Sequence, residues 1–216
     1  MEIRKLLPLS GVVFVALVIL GVLLGGSTPG SSAAGSKVAA YYDSHNARLF
    51  IESFVLAASG LFAVLFGATL SRLLATPAEG ARSIWDRVVL GGSVLVAAAF
   101  MVIATINFAI ADSPTKVSGS ALQALNLLVN DTWVLFNSSL GVFMVGAAGA
   151  WLTSARGYRW LGWVALVLGI ALFIPYADFV ALLASGVWIV VASVLLFREE
   201  AAGRPTVARA ASGTVG

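Results

Sequence analysis

The residues best suited to chemistry in this chain occur together, directly before its second long apolar run. His45 is the only histidine. Arg48 and Glu52 follow it at spacings of three and seven residues, which place all three side chains on one face of a helix. Small residues continue the same face, namely Ser59, Gly60, Ala63 and Gly67. Membrane helices approach one another closely along small residues, so this face is predicted to point into a helix bundle.

A second pattern lies on the fourth apolar segment, where polar and small residues share one helix face. Offsets of four, seven, eleven and fifteen residues connect Asn126, Asn130, Trp133, Asn137 and Gly141. An unpaired amide is costly inside lipid, so we expect Asn137 to bond to another helix or to line a hydrated cavity. The sequence leaves both roles open: a hydrogen bond that joins two helices, or a contact to a ligand.

Other polar residues are expected at the same depth, near the predicted outer ends of the helices. We expect His45 and Glu52 to share an outward-facing pocket with Asp178 or Asp131, and a histidine beside carboxylates would make that pocket responsive to mildly acidic pH. The alternative is ordinary interfacial chemistry, in which Arg48 and Glu52 form an i,i+4 pair. The candidate ligand-binding residues are His45, Arg48, Glu52, Asn107, Asn130, Asp131, Asn137 and Asp178.

The composition places most of the chain in lipid. Hydrophobic residues make up 60% and charged residues 11% of the sequence, whereas soluble domains have about 45–50% apolar and about 25% charged residues. The net charge of +3 comes from arginines at the ends of apolar runs, which does not indicate nucleic-acid binding. With no cysteine and one histidine, the sequence predicts no disulfide, no cofactor and no catalytic residue. It also predicts no metal site, with the histidine and two carboxylates left open as an alternative ligand set.

Six apolar runs are long enough, or nearly so, to cross a hydrocarbon core of about 30 Å, which takes about 20 helical residues. They cover residues 6–25, 50–71, 88–110, 131–153, 160–174 and 177–197. The sequence therefore predicts an all-α, polytopic membrane bundle of six transmembrane helices over residues 1–200. A disordered cytoplasmic tail is expected over 201–216. The fifth run is the shortest, because Pro175 closes it.

The cationic residues predict the orientation of the bundle. With both termini in the cytoplasm, only Lys37, Arg48 and Lys116 fall outside. Ten fall on the cytoplasmic side, as the positive-inside rule requires: Arg4, Lys5, Arg72, Arg82, Arg87, Arg156, Arg159, Arg198, Arg204 and Arg209. Frequent Arg, Ala, Gly and Val indicate a GC-rich bacterial genome, so the predicted location is a bacterial plasma membrane. The first run is longer than the hydrophobic region of a signal peptide and is expected to be a retained helix.

Three connecting segments also carry predictions. Residues 25–36 are rich in Gly and Ser and are expected to form a flexible outer loop. Residues 76–79, Thr-Pro-Ala-Glu, form a strong helix start. Ser120 begins a weaker helix start, from which the fourth helix would project outward before it enters lipid.

The segment Arg159-Trp160-Leu161-Gly162-Trp163 lies directly before a short apolar helix. It resembles a recurring element of actinobacterial multi-span integral membrane proteins that carry a domain of unknown function. The spacing of Tyr42, His45 and Arg48 at the entry to the second helix is similar to the same group. The resemblance implies a multi-helix membrane architecture and no particular activity.

The leading functional hypothesis is a non-enzymatic membrane protein that acts as a binding, sensing or accessory subunit. Its expected partners are the lipid bilayer and either another membrane protein or a second copy of the chain. The alternative is a small-solute transporter or permease that uses the outer polar cluster as its entry site. A membrane-embedded enzyme is a third hypothesis. No predicted span carries an ionisable residue at its middle, where ion-coupled transporters usually place one.

The orientation can be tested with two single-cysteine variants, since the chain has no cysteine of its own. Ser36→Cys lies in a predicted outer segment and Ala155→Cys in a predicted cytoplasmic one. A membrane-impermeant maleimide added to intact cells should label Ser36→Cys and should leave Ala155→Cys unmodified until the cells are permeabilised. Labelling of Ala155→Cys alone would invert the topology.

Overall fold

The structure is a computed structural model that describes residues 3–75 and 84–202, and every regular element in these two ranges is a helix. The all-α prediction is therefore confirmed. The predicted helix start at residues 76–79 and the tail beyond residue 202 lie outside the described ranges. The helices are α1 (Ile3–Leu6), α2 (Ser10–Gly25), α3 (Gly35–Leu74), α4 (Ile84–Asp112), α5 (Gly119–Asp131), α6 (Trp133–Thr153), α7 (Arg159–Ala171) and α8 (Asp178–Ala201).

Five helical segments of the described ranges are long and apolar enough to cross a membrane: Leu7–Gly25, Gly35–Leu74, Ile84–Asp112, Gly119–Thr153 and Asp178–Ala201. The predicted fifth run forms only α7, an apolar helix of 13 residues. At 1.5 Å per residue α7 measures about 20 Å, less than the about 30 Å of a hydrocarbon core. The fold thus agrees with a bundle of six apolar helices, in which α7 by itself is too short to span.

These six apolar helices form a ring in chain order. α2 packs on α3, α3 on α4, α4 on α6 and α6 on α7, and α8 closes the ring against α7 and α2. Aromatic side chains fill the interior. Phe14 and Phe136 both contact Phe100, and Phe66 contacts Phe143, with ring centroids 4.7 to 6.1 Å apart.

Small residues allow the helices of the ring to approach closely, and the predicted inward face of α3 is one of these contacts. Its four small residues after Glu52 are all buried. A Cβ atom added to Gly60 would lie 3.1 Å from the Cα of Ala97 in α4. Nearer the start of α4, a Cβ atom added to Gly92 would lie 2.6 Å from the Cα of Phe143 in α6. The backbones of α4 and α6 are therefore in direct contact where the two helices cross.

At one end of the ring, α3 extends beyond the other helices. Its 40 residues measure about 60 Å, twice the about 30 Å of a hydrocarbon core. The extension, residues 35–49, packs on α5 and on the end of α4 through a second apolar core. We call residues 26–49 and 113–131 together the cap, and the charge pattern predicts that it faces outward. The buried side chains of this core are Val38, Tyr42, Leu49, Ile110, Ala111 and Leu122.

α5 is the predicted outward projection of the fourth apolar segment. It begins at Gly119, where Ser118 Oγ accepts a hydrogen bond from the backbone N–H of Ala121 at 3.4 Å. A break at Thr132 separates α5 from α6. The helix start therefore lies one to two residues before the position that the sequence indicates.

At the opposite end of the ring, one arginine in the α6–α7 connection joins three parts of the fold. Arg156 forms an ion pair with Glu199 of α8. Its Nε–H also donates to the backbone oxygen of Leu73, near the end of α3, at 3.0 Å. Both charged side chains are largely buried, at 19% and 17% exposure. This contact fixes the end of α8 relative to α3.

Two neighbouring glycines of α4 test the packing. Gly92→Ala should lower the free energy of unfolding by about 1–3 kcal/mol, the usual effect of overpacking a close contact, because its Cβ would meet the backbone of Phe143. Gly91→Ala is the matched control: no atom lies within 4 Å of its Cβ position, and alanine favours the helix. Unfolding in a detergent titration measures both, and equal losses would contradict the α4–α6 packing.

Candidate functional site

Glu52 is a buried carboxylate between α2, α3 and α4, only 7% exposed. Its Oε1 accepts a hydrogen bond from Nδ2 of Asn107 in α4 at 3.1 Å. Gly25, the last residue of α2, leaves room for the carboxylate, since a Cβ there would lie 2.8 Å from Oε1. The prediction that this face of α3 points into the bundle is therefore correct for Glu52.

Arg48 lies one turn away but binds the end of α2. Its Nη2–H groups donate to the backbone oxygen of Gly25 at 3.3 Å and to the hydroxyl oxygen of Tyr41 at 3.2 Å. The hydroxyl of Tyr41 donates to the same Gly25 oxygen at 3.1 Å. A cation at the carbonyl end of a helix is favourable. Among the residues that the structure describes, Arg48 and Glu52 form no ion pair within 4 Å, so the i,i+4 pair is not formed.

His45 is half-buried and faces its own helix. Its Nδ1 lies 2.9 Å from the backbone oxygen of Tyr41 and 2.8 Å from Oγ of Ser44. The imidazole stacks on the ring of Tyr41, with centroids 4.6 Å apart. The hydrogen bonds described for His45 thus lead to neighbouring residues of α3 and not to Glu52.

Asn126 and Asn130 hold the loop between α2 and α3. Nδ2 of Asn126 donates to the backbone oxygens of Pro29 and Gly30 at 3.2 and 3.0 Å, and Nδ2 of Asn130 donates to Pro29 at 3.3 Å. Asn126 is fully buried. The hydroxyl group of Tyr42 donates a hydrogen bond to Oδ1 of Asn126 at 3.5 Å. The Gly- and Ser-rich loop, predicted to be flexible from its composition, is therefore anchored to α5 within the cap.

Asn137 and Asp178 form a buried pair between α6 and the first residue of α8. Nδ2 of Asn137 donates to Oδ2 of Asp178 at 3.0 Å, and the two residues are 3% and 7% exposed. The prediction that Asn137 meets a partner on another helix is confirmed. Asp131, in contrast, is exposed at the end of α5.

The structure thus divides the predicted polar cluster into separate parts. Glu52 pairs with Asn107, Asp178 pairs with Asn137, Arg48 binds the end of α2, and Asn130 belongs to the cap. The described contacts do not bring His45 and Glu52 into one pocket with either aspartate. Asp178 bonds to Asn137, Asp131 is exposed, and the hydrogen bonds of His45 stay within α3, so the prediction of a shared pocket is corrected. In the described ranges no three His, Asp or Glu side chains come together in a way that could hold a metal ion.

The ring interior contains a cavity of about 10 Å³, between α2, α3, α4, α6 and α8. Apart from Ser93, its lining is apolar and mainly aromatic, with Phe14, Phe66 and Phe143. The hydroxyl of Ser93 donates to the backbone oxygen of Leu90 at 2.8 Å. A cavity of this size has room for about one water molecule, which is too little for a solute in this packing.

No protein-family model, curated protein or solved structure matches the chain.

Two features of the structure have no counterpart in the sequence interpretation. The ion pair of Arg156 and Glu199 joins residues 43 positions apart. The charge pattern of the sequence places Arg156 on the cytoplasmic side and predicts nothing for Glu199. The apolar core of the cap is also new. Its signal in the sequence is the recurrence of Val38, Tyr42 and Leu49 at helical spacing before the apolar run begins.

The anchoring of the loop can be tested at Asn126. Asn126→Leu removes the donor to two backbone oxygens at a buried position and should cost about 1–3 kcal/mol of unfolding free energy. Gln123→Ala is the control, since Gln123 makes one exposed bond to the oxygen of Ala33 and should change stability by well under about 1 kcal/mol. Detergent unfolding measures both variants. An unchanged stability in Asn126→Leu would show that the asparagine does not hold the loop.

Proposed function

We propose that this protein is a non-enzymatic integral protein of a bacterial plasma membrane, with both termini in the cytoplasm, and that it acts as a binding or accessory subunit through its cap. The observation that carries this proposal is the contrast between the two parts of the fold. The ring interior is packed with aromatic side chains, whereas the cap is an ordered structure that extends beyond the ring.

The order of the cap supports a role in recognition. A connection between two spanning helices needs only a few residues, yet this chain extends α3 by about four turns and adds α5. The two helices share an apolar core, and asparagine side chains fix the loop beside them. A surface held in one conformation binds a partner at a lower entropic cost than a flexible loop does.

The surface that the cap presents is polar on the extension of α3. Lys37, Asp43, Ser44 and Asn46 are exposed there, and His45 is half-buried among them. A polar surface of this type suits a protein–protein interface in which bridging water molecules remain between the partners. The expected partner is the outer part of a membrane protein or a second copy of this chain.

A small-solute transporter is the second candidate, and the two buried pairs favour it. Asn107 and Asn137 place amide groups near the cap end of the ring, where a polar solute would enter. The packed interior opposes this function, because a solute that crosses the ring would have to displace Phe14, Phe66 and Phe143.

Photo-crosslinking from the cap tests the leading proposal. A benzoylphenylalanine at Asn46 should give a discrete protein adduct in living cells, because Asn46 is exposed on the extension of α3. The same group at Leu61, 58% exposed on the membrane part of α3, is the matched control and should give no discrete protein adduct. Gel mobility and mass spectrometry identify the adduct, and its mass separates a second copy from another protein.

The contrary result is the absence of any adduct at Asn46 together with solute flux. Purified protein in vesicles should leave glycerol and urea permeability at the level of protein-free vesicles. A faster flux that Asn137→Leu abolishes would favour the transporter and overturn the accessory role.

A further inference from the structure

The turn between α7 and α8 is built from apolar residues that the rest of the chain leaves uncovered. We call residues 172–177 the hairpin tip. Phe173 and Ile174 are 54% and 50% exposed, and Tyr176 is 97% exposed. The tip contains no charged side chain, and its only polar side-chain group is the hydroxyl of Tyr176. A contiguous apolar surface of this kind marks a contact with lipid or with another protein.

The backbone of the hairpin tip satisfies nearly all of its own hydrogen-bond donors. Of the six N–H groups in residues 172–178, five donate to backbone oxygens between Leu168 and Ile174, at 3.0 to 3.2 Å. Pro175 has no N–H group to satisfy. The hydrocarbon of a bilayer offers a free N–H no acceptor, so a turn that is placed in lipid needs this internal bonding.

The loop from α2 to α3, at the same end of the ring, has the opposite properties. Residues 27–34 consist of Ser, Thr, Pro, Gly and Ala. Only one of their seven N–H groups, that of Ala33, donates to a backbone oxygen. The other N–H groups require water or another external acceptor. The chain thus carries one connection suited to water and one suited to lipid.

Contacts with α6 give the depth of the hairpin tip. A Cβ atom added to Gly169, two residues before the end of α7, would lie 3.0 Å from the backbone nitrogen of Val145, in the middle of α6. The ring of Phe173 lies 2.5 Å from the Cβ position of Gly141. Trp133, the first residue of α6, is about 12 Å farther outward along the helix. The tip therefore lies deeper than Trp133, an exposed tryptophan suited to the membrane interface.

We propose that the hairpin tip is immersed in the lipid of the leaflet on the cap side, which is the outer leaflet in the predicted orientation. α7 and α8 then form a hairpin that enters the membrane from the opposite side and turns before it reaches the surface. Lipid chains cover Phe173 and Ile174, and the hydroxyl of Tyr176 reaches towards the headgroups. The partner is lipid because the projecting Tyr176 offers a second protein no groove, whereas lipid chains adapt to its shape.

The proposal accounts for two unusual features of the hairpin. The 13 residues of α7 measure about 20 Å, too short for a hydrocarbon core of about 30 Å but long enough to reach its far leaflet. Tyr176 has φ +70°, a conformation that glycine adopts far more readily. A tyrosine at such a position indicates a role for its side chain, here at the boundary between lipid chains and headgroups.

Fluorescence quenching in lipid vesicles tests the contact with lipid. The full chain has no cysteine, so Ile174→Cys can be labelled with bimane at one position. A nitroxide on the lipid chains should quench this bimane more strongly than a nitroxide on the headgroups. Leu183→Cys, at a position 60% exposed on α8, is the lipid-facing control and should behave alike. Ser31→Cys, at an exposed position in the loop after α2, should show the reverse order. A bimane at Ile174→Cys that follows the order of Ser31→Cys would overturn the proposal.

Labelling in intact cells uses a second variant of the tip, Tyr176→Cys. A membrane-impermeant maleimide should label Ser31→Cys and leave Tyr176→Cys unmodified until the protein is denatured in detergent. Equal labelling of the two variants would place the tip in water. A crosslink between two chains at Tyr176→Cys, together with no quenching of Ile174→Cys by chain nitroxides, would show that a second copy covers the tip. Either result contradicts immersion in lipid.

Discussion

Lipid offers the chain no hydrogen-bond partners, and the membrane part of the structure follows from this constraint. Each spanning segment closes its backbone hydrogen bonds internally as a helix. Hydroxyl groups within the helices bond back to the preceding turn, as Ser53 and Ser193 do. Amides and carboxylates need partners on other helices, and Glu52 and Asp178 each find an asparagine. Two of the polar contacts between the described helices of the ring therefore lie near the cap.

The same constraint explains how the cap and the ring are joined. α3 belongs to the ring and continues into the cap without a break, so one helix joins the two parts of the fold. The last backbone carbonyl groups of α2 have no donor within the helix. Arg48 and Tyr41 of α3 donate hydrogen bonds to one of them, the oxygen of Gly25. Gly26 adopts φ +65° there, a conformation that glycine accepts readily, and the chain can then turn towards the cap. The end of one spanning helix thus becomes part of the junction between cap and ring.

α8 is attached to the ring by polar contacts distributed along its length. Asp178 bonds to α6 at the cap end, Nε1 of Trp188 donates to the backbone oxygen of Leu161 in α7 at 3.0 Å, and Glu199 pairs with Arg156 at the other end. Packing between apolar side chains gains little over packing against lipid tails, so such contacts are important for fixing the position of a membrane helix. Among the described helices of the ring, α8 packs least extensively on its neighbours, so these polar contacts contribute to holding it in place.

The sequence alone determined the class of fold. The length and polarity of each apolar run are local properties, and an apolar run inside lipid must satisfy its backbone hydrogen bonds internally, as a helix does. It also determined that the face of α3 containing Glu52 points inward, since small residues at helical spacing mark a close helix contact. Only the tertiary structure decided the partners. His45 and Glu52 share a face but not a pocket, and Asn126 orders a loop that its composition describes as flexible. Such pairings depend on the rotation of separate helices and on contacts between residues that are far apart in the chain, which no local pattern encodes.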